Sequence, residues 1–241
     1  MTPFAAVLLF LAAQAPAQTP APPVDQAAVP LPAPEVKPTP DGAVLALETT
    51  MGTIEVGLYA TKAPRSSRNF LKYAKSGFYN GTIFHRVIPG FMIQGGGLDA
   101  KMVERPVGPP VRNEARNGLL NTRGSLALAR TDDPHSATSQ FFINVKDNPG
   151  LDFGISRDGW GYAVFGEVLS GMDVVDRIVA VPTTRMLQHE KVPITPVVVT
   201  RVRVISEPAA APAPAAPAGK PAASRKAPAG PKPTPTPRRP L

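Results

Sequence analysis

The chain has 241 residues, a formal net charge of +8 and no cysteine. A chain of this length can fold into one domain with a sizeable hydrophobic core. The lack of cysteine excludes disulfide bonds, thiol catalysis and cysteine-ligated metal sites.

The N-terminal end has the pattern of a cleavable secretory signal peptide. Residues 4–13 are ten consecutive apolar residues, too few to span a bilayer as a helix. They are followed by Ala15-Pro16-Ala17, a small-x-small cleavage pattern. We therefore predict a signal peptide over residues 1–17, although no Lys or Arg precedes the apolar run.

Two proline-rich stretches flank the middle of the chain. Residues 18–40 contain eight prolines, and residues 207–241 contain eleven together with six basic side chains. Neither stretch has enough large apolar side chains to offset the entropy lost on folding. We predict a Pro/Ala-rich disordered linker at 18–40, one domain at 41–206 and a Pro/Ala-rich basic disordered tail at 207–241. Such a tail could make weak contact with anionic envelope components.

Hydrophobic patterns divide the middle of the chain into short strands and two helices. In chain order, the predicted elements are a hairpin of strands 44–47 and 54–58, a helix from Pro64 to Gly77, strands 83–87, 91–94, 124–129, 141–145 and 163–168, a helix at 172–179 and a strand at 197–205. Many short strands with only two helices favour a closed β-barrel with the helices over its ends.

Residues 84–96 combine one cation, one amide and large apolar side chains around a Pro-Gly turn. They contain no nucleophile and no metal-ligand cluster, so they suit a reaction in which only a torsion changes. Alternate side chains of an extended segment share a face, so we expect Phe84 and Arg86 on one face and His85 on the other. The three histidines of the chain are far apart in sequence, with no i,i+4 pair, and we predict no metal site.

Spacing alone leaves the role of these side chains open. Phe91, Met92 and Phe142 could be ordinary core residues, because a Met-Phe pair near a turn more often packs than binds. A single arginine on a strand, such as Arg86, is usually solvated or ion-paired. The glycines at 95–97 lack the following helix and lysine of a phosphate-binding loop.

The ordered motifs resolve this ambiguity through a resemblance. The stretch Phe84-His85-Arg86-Val87-Ile88-Pro89-Gly90-Phe91-Met92-Ile93-Gln94-Gly95-Gly96, then residues 122–130, 139–143 and 164–166, resembles the cyclophilin family of peptidyl-prolyl cis-trans isomerases. The resemblance covers residues 43–205 and is greatest to the periplasmic bacterial branch. It implies a mainly β fold, a closed eight-stranded antiparallel β-barrel capped by two α-helices. It also implies an isomerase that assists the folding of exported proteins without a cofactor.

The resemblance implies a role for each matching residue. Arg86 would be the catalytic cation. The proline pocket would consist of Phe91, Met92, Phe142 and Leu151. Gln94 and Gln140 would bind the substrate backbone, Ala129 would line the groove beside the pocket, and Tyr162 would stand at its rim.

Three positions depart from common family patterns. Gly150 stands where many members have Trp, Tyr162 where many have His, and Arg130 where eukaryotic members tend to have Asn. The altered rim at Gly150 and Tyr162 supports an alternative function, a proline-peptide binding module or holdase chaperone with little turnover.

The expected partners are proline-containing polypeptide clients, with no specific nucleic acid, and the expected state is a monomer. The signal peptide predicts a periplasmic protein. If the charge-poor N-terminus is not a signal, we expect a cytoplasmic one.

Overall fold

A computed structural model describes residues 39–208 of the chain. The predicted signal peptide at 1–17, the predicted linker up to residue 38 and the predicted tail from residue 209 lie outside the described residues. The elements that follow are those of the described part.

The first half of the domain contains a hairpin, a helix and a second strand pair. These elements are β1 (Val44–Thr49), β2 (Gly52–Leu58), α1 (Pro64–Lys75), β3 (Thr82–Ile88) and β4 (Met92–Asp99). The second half contains β5 (Ser125–Leu128), β6 (Phe141–Asn144), β7 (Val164–Ser170), α2 (Met172–Val179), β8 (Thr183–Met186), β9 (His189–Pro193) and β10 (Val198–Ser206).

Eight of these strands close into a barrel in the order β1-β10-β3-β4-β6-β5-β7-β2. Every neighbouring pair is antiparallel, including the β1–β2 pair that closes the ring. The predicted fold class, a closed eight-stranded antiparallel barrel with two helices, is therefore confirmed.

One hydrophobic core fills the barrel and extends onto both helices. Phe70 of α1 is fully buried, and its ring lies 5.2 Å from the rings of Phe141 and Phe165. Val175 and Ile178 of α2 are fully buried in the same cluster. Burying one such side chain contributes about 1.5–3 kcal/mol, so both helices are held chiefly by their apolar faces.

The register of β3 differs from the simple alternation that the sequence predicts. Phe84 pairs with Gly95 and Arg86 with Gln94, so two residues of β3 advance against one residue of β4. This irregularity turns Phe84 into the barrel core while Arg86 is exposed. The expectation that Phe84 and Arg86 share a face was wrong, because a β-bulge shifts the alternation between them.

The β8–β9 hairpin lies outside the barrel and is absent from the predicted elements. Its Val192 packs with Ile83, Leu98 and Met102 in a small apolar cluster beside β3. Most other side chains of the hairpin are exposed and polar. The segment therefore lacks the alternation of apolar and polar residues from which strands are predicted.

Candidate functional site

A recess of about 100 Å³ opens on the outer face of β4, β5 and β6. Successive side chains of these strands point to opposite faces of the sheet, and the outward-facing ones form the recess. Ile93, Phe141 and Leu126 point into the barrel core, and their neighbours Met92, Phe142 and Ala127 form a second apolar cluster on the opposite face. Nine residues line the recess: Arg86, Phe91, Met92, Gln94, Ala129, Arg130, Phe142, Leu151 and Tyr162.

The recess has an apolar base. Met92 is 1% exposed and Phe142 is 4% exposed, while Phe91, Leu151 and Tyr162 are half-buried around them. Met92 and Phe142 each pack in this apolar cluster and also line the recess, so packing and lining a pocket are not exclusive for these two side chains. Apolar cavities of roughly 150 Å³ accept a benzene ring, so a recess of about 100 Å³ has the size for a smaller ring.

A chain of polar side chains runs along one edge of the recess. Arg86 is exposed, and its Nη1 donates to Gln94 Oε1 across a long 3.5 Å. Gln94 Nε2 in turn donates to Gln140 Oε1 at 2.9 Å, so Gln140 joins the site although it does not line the recess. Gly97 makes room for this, because a Cβ atom there would lie 2.6 Å from Gln140 Cγ.

A buried asparagine network holds two walls of the recess in place. Asn148 Nδ2 donates to the Phe91 carbonyl at 3.0 Å and to Asn144 Oδ1 at 2.7 Å. Asn144 Nδ2 donates to Asn121 Oδ1 at 3.2 Å, and Asn121 Nδ2 reaches the Leu151 carbonyl at 3.2 Å. These three asparagines are not among the predicted site residues, yet they fix the backbone of two lining residues.

Gly150 lacks the aromatic side chain that many members of the resembling family have there, and the single tryptophan of the chain, Trp160, lies in the loop that follows. The Trp160 ring lies 5.0 Å from the His135 ring in an edge-on arrangement. Trp160 does not line the recess, and nothing described lies within 4 Å of a Cβ atom placed on Gly150. The rim at Gly150 is therefore open.

His85 lies behind Arg86 on β3, beneath the β8–β9 hairpin. It is 4% exposed, and its ring lies 5.9 Å from that of His189. Burial lowers the pKa of His85 to about 4, with smaller contributions from neighbouring His189 and Arg86. Its Nδ1 has no hydrogen-bond partner within the described residues. At neutral pH His85 is therefore an uncharged side chain next to the exposed cation.

Within residues 39–208, no three carboxylate or imidazole side chains lie close enough together to hold a metal ion. No helix in the same part of the chain is long and apolar enough to cross a membrane. None of the nine lining residues is a serine, a lysine or a carboxylate. The site therefore offers an apolar recess, a cation and amide groups, which suit binding a small apolar ring and donating hydrogen bonds beside it.

Comparison with known proteins adds the family. The model of the cyclophilin type peptidyl-prolyl cis-trans isomerase/CLD family matches residues 44–204. The chain belongs to the cyclophilin family. The match runs from the first residue of β1 into β10, so it takes in every strand of the barrel.

Two bacterial relatives illustrate the similarity. This cyclophilin is 57% identical over 160 residues to a peptidyl-prolyl cis-trans isomerase of Acinetobacter baylyi, covering 66% of this chain and 84% of the relative. It is 54% identical over 162 residues to peptidyl-prolyl cis-trans isomerase B of Escherichia coli, covering 67% and 99%. The predicted family and the predicted class of enzyme are confirmed.

A solved structure agrees with the fold. A Cryptosporidium parvum cyclophilin determined in the presence of the dipeptide Ala-Pro is 26% identical, with a TM-score of 0.56 over 68% of this chain and 99% of the other. The structure of this cyclophilin brings eight of the nine predicted site residues into one recess, with Gln140 bonded to its edge. Their individual roles stay predictions.

Proposed function

We propose that this cyclophilin accelerates rotation about Xaa-Pro bonds by holding the proline ring in the recess and directing Arg86 at the prolyl nitrogen. The observation that carries this proposal is the juxtaposition of an exposed guanidinium and an apolar recess on one face. Phe91, Met92, Phe142 and Leu151 surround the ring.

The reaction needs electrostatic help at one atom. Rotation of an Xaa-Pro amide has a barrier of about 18–20 kcal/mol, and uncatalysed exchange takes tens to hundreds of seconds. Reaching milliseconds requires about 10⁵-fold acceleration, equivalent to about 7 kcal/mol. Twisting the bond returns the lone pair to the prolyl nitrogen. A hydrogen-bond donor aimed there binds the twisted state more strongly than the planar one, and only such differential binding accelerates the step.

Arg86 meets this requirement as a donor that is always charged. The apolar recess immobilises the ring and lowers the local dielectric, which strengthens the interaction. The side-chain amides of Gln94 and Gln140 are placed to bind the peptide backbone next to the ring, while the acyl side of the amide rotates. No nucleophile and no proton transfer is needed.

A substoichiometric exchange experiment tests this proposal against the binding-module alternative. NMR exchange spectroscopy on a short Ala-Pro peptide, with the protein at about one part in a hundred, measures turnover directly. We expect faster exchange with unchanged cis and trans populations. Exchange at the uncatalysed rate, with populations that shift only at stoichiometric protein, would instead identify a binding module or holdase.

We further propose that the clients are exported polypeptides and that the protein is periplasmic. The apolar run at 4–13 followed by Ala15-Pro16-Ala17 supports this. Expression of the full chain, cell fractionation and mass spectrometry of the product give the test. We expect a periplasmic protein that begins at Gln18, whereas a cytoplasmic product that retains residues 1–17 would contradict the proposal.

A further inference from the structure

Arg130 occupies an unusual position for an arginine, because its side chain is only 4% exposed. Its guanidinium carbon lies 4.5 Å from the centre of the Tyr162 ring. Its Nη2 forms an ion pair with Asp158, Nε donates to the Gly161 carbonyl at 3.1 Å, and Nη1 donates to the Thr131 carbonyl at 3.0 Å. We call Arg130, Asp158 and Tyr162 together the arginine clamp.

The arginine clamp joins the wall of the recess to the loop of residues 152–161. Tyr162 lines the recess, and its ring packs edge-on against Phe142 at 5.6 Å. The Tyr162 N–H donates to the Leu151 carbonyl at 2.8 Å, which closes the base of the loop. The loop therefore starts and ends at two residues of the proline recess.

The loop itself offers few apolar anchors. Phe153, Ile155 and Trp160 are between 40% and 65% exposed. Hydrogen bonds to Asp158 hold the loop in place of apolar packing: its carboxylate accepts from Ser156 Oγ at 2.9 Å and from the Trp160 N–H at 3.0 Å. Asp158 is thus the point at which the interior of the loop meets the buried guanidinium.

The ion pair of the clamp persists across the physiological pH range, because Asp158 stays ionised there. Burial alone would raise the pKa of Asp158, but hydrogen bonds from Arg130, Ser156 and the Trp160 backbone outweigh it and lower that pKa to about 2. Asp158 is therefore ionised at any physiological pH, and the guanidinium is always charged.

We propose that Arg130 is a positioning residue for peptide binding: through the arginine clamp it fixes the Tyr162 ring as a wall of the proline recess. This inference rests on the proposed function, since it assigns a task to a residue of the same site. Arg130 also lines a neighbouring pocket together with Gln94, Ala129 and Gln140. Its position thus sets the edge of the surface on which the peptide lies.

The expected signature is a change in KM without a change in kcat. The wall contacts the ring in the cis, trans and twisted states alike, so it contributes uniform binding. Arg86, which distinguishes the twisted state in the proposed mechanism, bonds to Gln94 and has no hydrogen bond or ion pair with the clamp residues among the described residues.

Two variants test the clamp, each of which removes one partner of the Arg130–Asp158 ion pair. For Arg130→Gln we expect KM to rise about fivefold and kcat to stay within about twofold. For Asp158→Asn, which leaves both carbonyl bonds of Arg130 intact, we expect KM to rise by about two- to threefold. Asp173→Asn is the matched control. It removes the carboxylate partner of Arg177 in an exposed ion pair on α2 and should leave KM unchanged.

A double variant tests whether Arg130 acts through Tyr162. In a Tyr162→Ala background, Arg130→Gln should raise KM little further, because the wall is already gone. The single tryptophan, Trp160, gives an independent reading: its emission spectrum should change in Arg130→Gln and Asp158→Asn and stay constant in Asp173→Asn. If Arg130→Gln does not fold, the KM of Asp158→Asn alone tests the role of the arginine clamp.

Wild-type KM in Asp158→Asn and Arg130→Gln would overturn the inference, and so would a fall in kcat in place of the rise in KM. The inference would also be overturned if Arg130→Gln raised KM by the same factor in the Tyr162→Ala background as in the wild-type protein. The wild-type protein and Arg86→Ala are measured in the same assay. An inactive wild-type protein refutes the proposed function, whereas an active wild type with unaffected clamp variants refutes only the role of Arg130.

Discussion

Replacing Arg86 by alanine should abolish most turnover while leaving the fold intact. The side chain is exposed, and the polar contact that the structure gives it is the 3.5 Å bond to Gln94. A bond of that length contributes little, so the free energy of unfolding should change by no more than about 0.5 kcal/mol. The recess keeps its buried base of Met92 and Phe142.

The effect on rate should be far larger. Removing one donor that acts on charge developed in a transition state costs about 10²–10³-fold in kcat, equivalent to about 2.7–4 kcal/mol. That is about half of the ~7 kcal/mol that the acceleration requires, and the remainder has to come from other interactions that are stronger in the twisted state than in the planar one. Arg86→Lys keeps a charge without the planar fork, so we expect an intermediate rate.

The assay is peptide exchange by NMR, with circular dichroism melts to verify folding. Arg201→Ala, which removes an exposed arginine from β10, is the control for the loss of one positive charge. An Arg86→Ala variant that folds normally and turns over at the wild-type rate would rule out the catalytic role of Arg86, and so would an equal loss of rate in Arg201→Ala.

Three further changes probe other features. Gly97→Ala should push Gln140 away from Gln94 and raise KM severalfold with the fold retained, whereas Gly108→Ala, where the nearest atom to the new Cβ is 3.5 Å away, should not. Because His85 has a folded pKa of about 4 against about 6.5 when unfolded, only the unfolded state takes up this proton as the pH falls from 6.5 to 4. Chemical denaturation should then show stability reduced by up to about 3 kcal/mol across that window, and His85→Leu should flatten the profile. Gly150→Trp should fold normally and tighten peptide binding in an NMR titration, because the space beside Gly150 is open.

The barrel was predictable because its strands bury one face against the core and carry alternating or continuous apolar runs. The β8–β9 hairpin was not, because apart from Val192 and Pro193 its side chains are at least partly exposed and leave no periodic signal. The bulge in β3 was not predictable either. Nothing in the order Phe84-His85-Arg86 indicates that the alternation shifts there, since the shift depends on pairing with β4.

The residues that line the recess could be predicted from motifs that keep a fixed order along the chain. What the motifs could not supply were the supports that depend on distant partners. Arg130 meets Asp158 across 28 positions, and Asn121 meets Asp152 across 31. Such pairs leave no local pattern, because each residue alone is typical of a loop. A buried arginine or asparagine becomes informative only once its burial is known.

The most direct measurement is a structure of the protein bound to an Ala-Pro peptide. We expect the proline ring in the recess between Phe91, Met92 and Phe142, with the Arg86 guanidinium about 3 Å from the prolyl nitrogen. A ring bound elsewhere, or an Arg86 side chain directed into solvent away from that nitrogen, would contradict it.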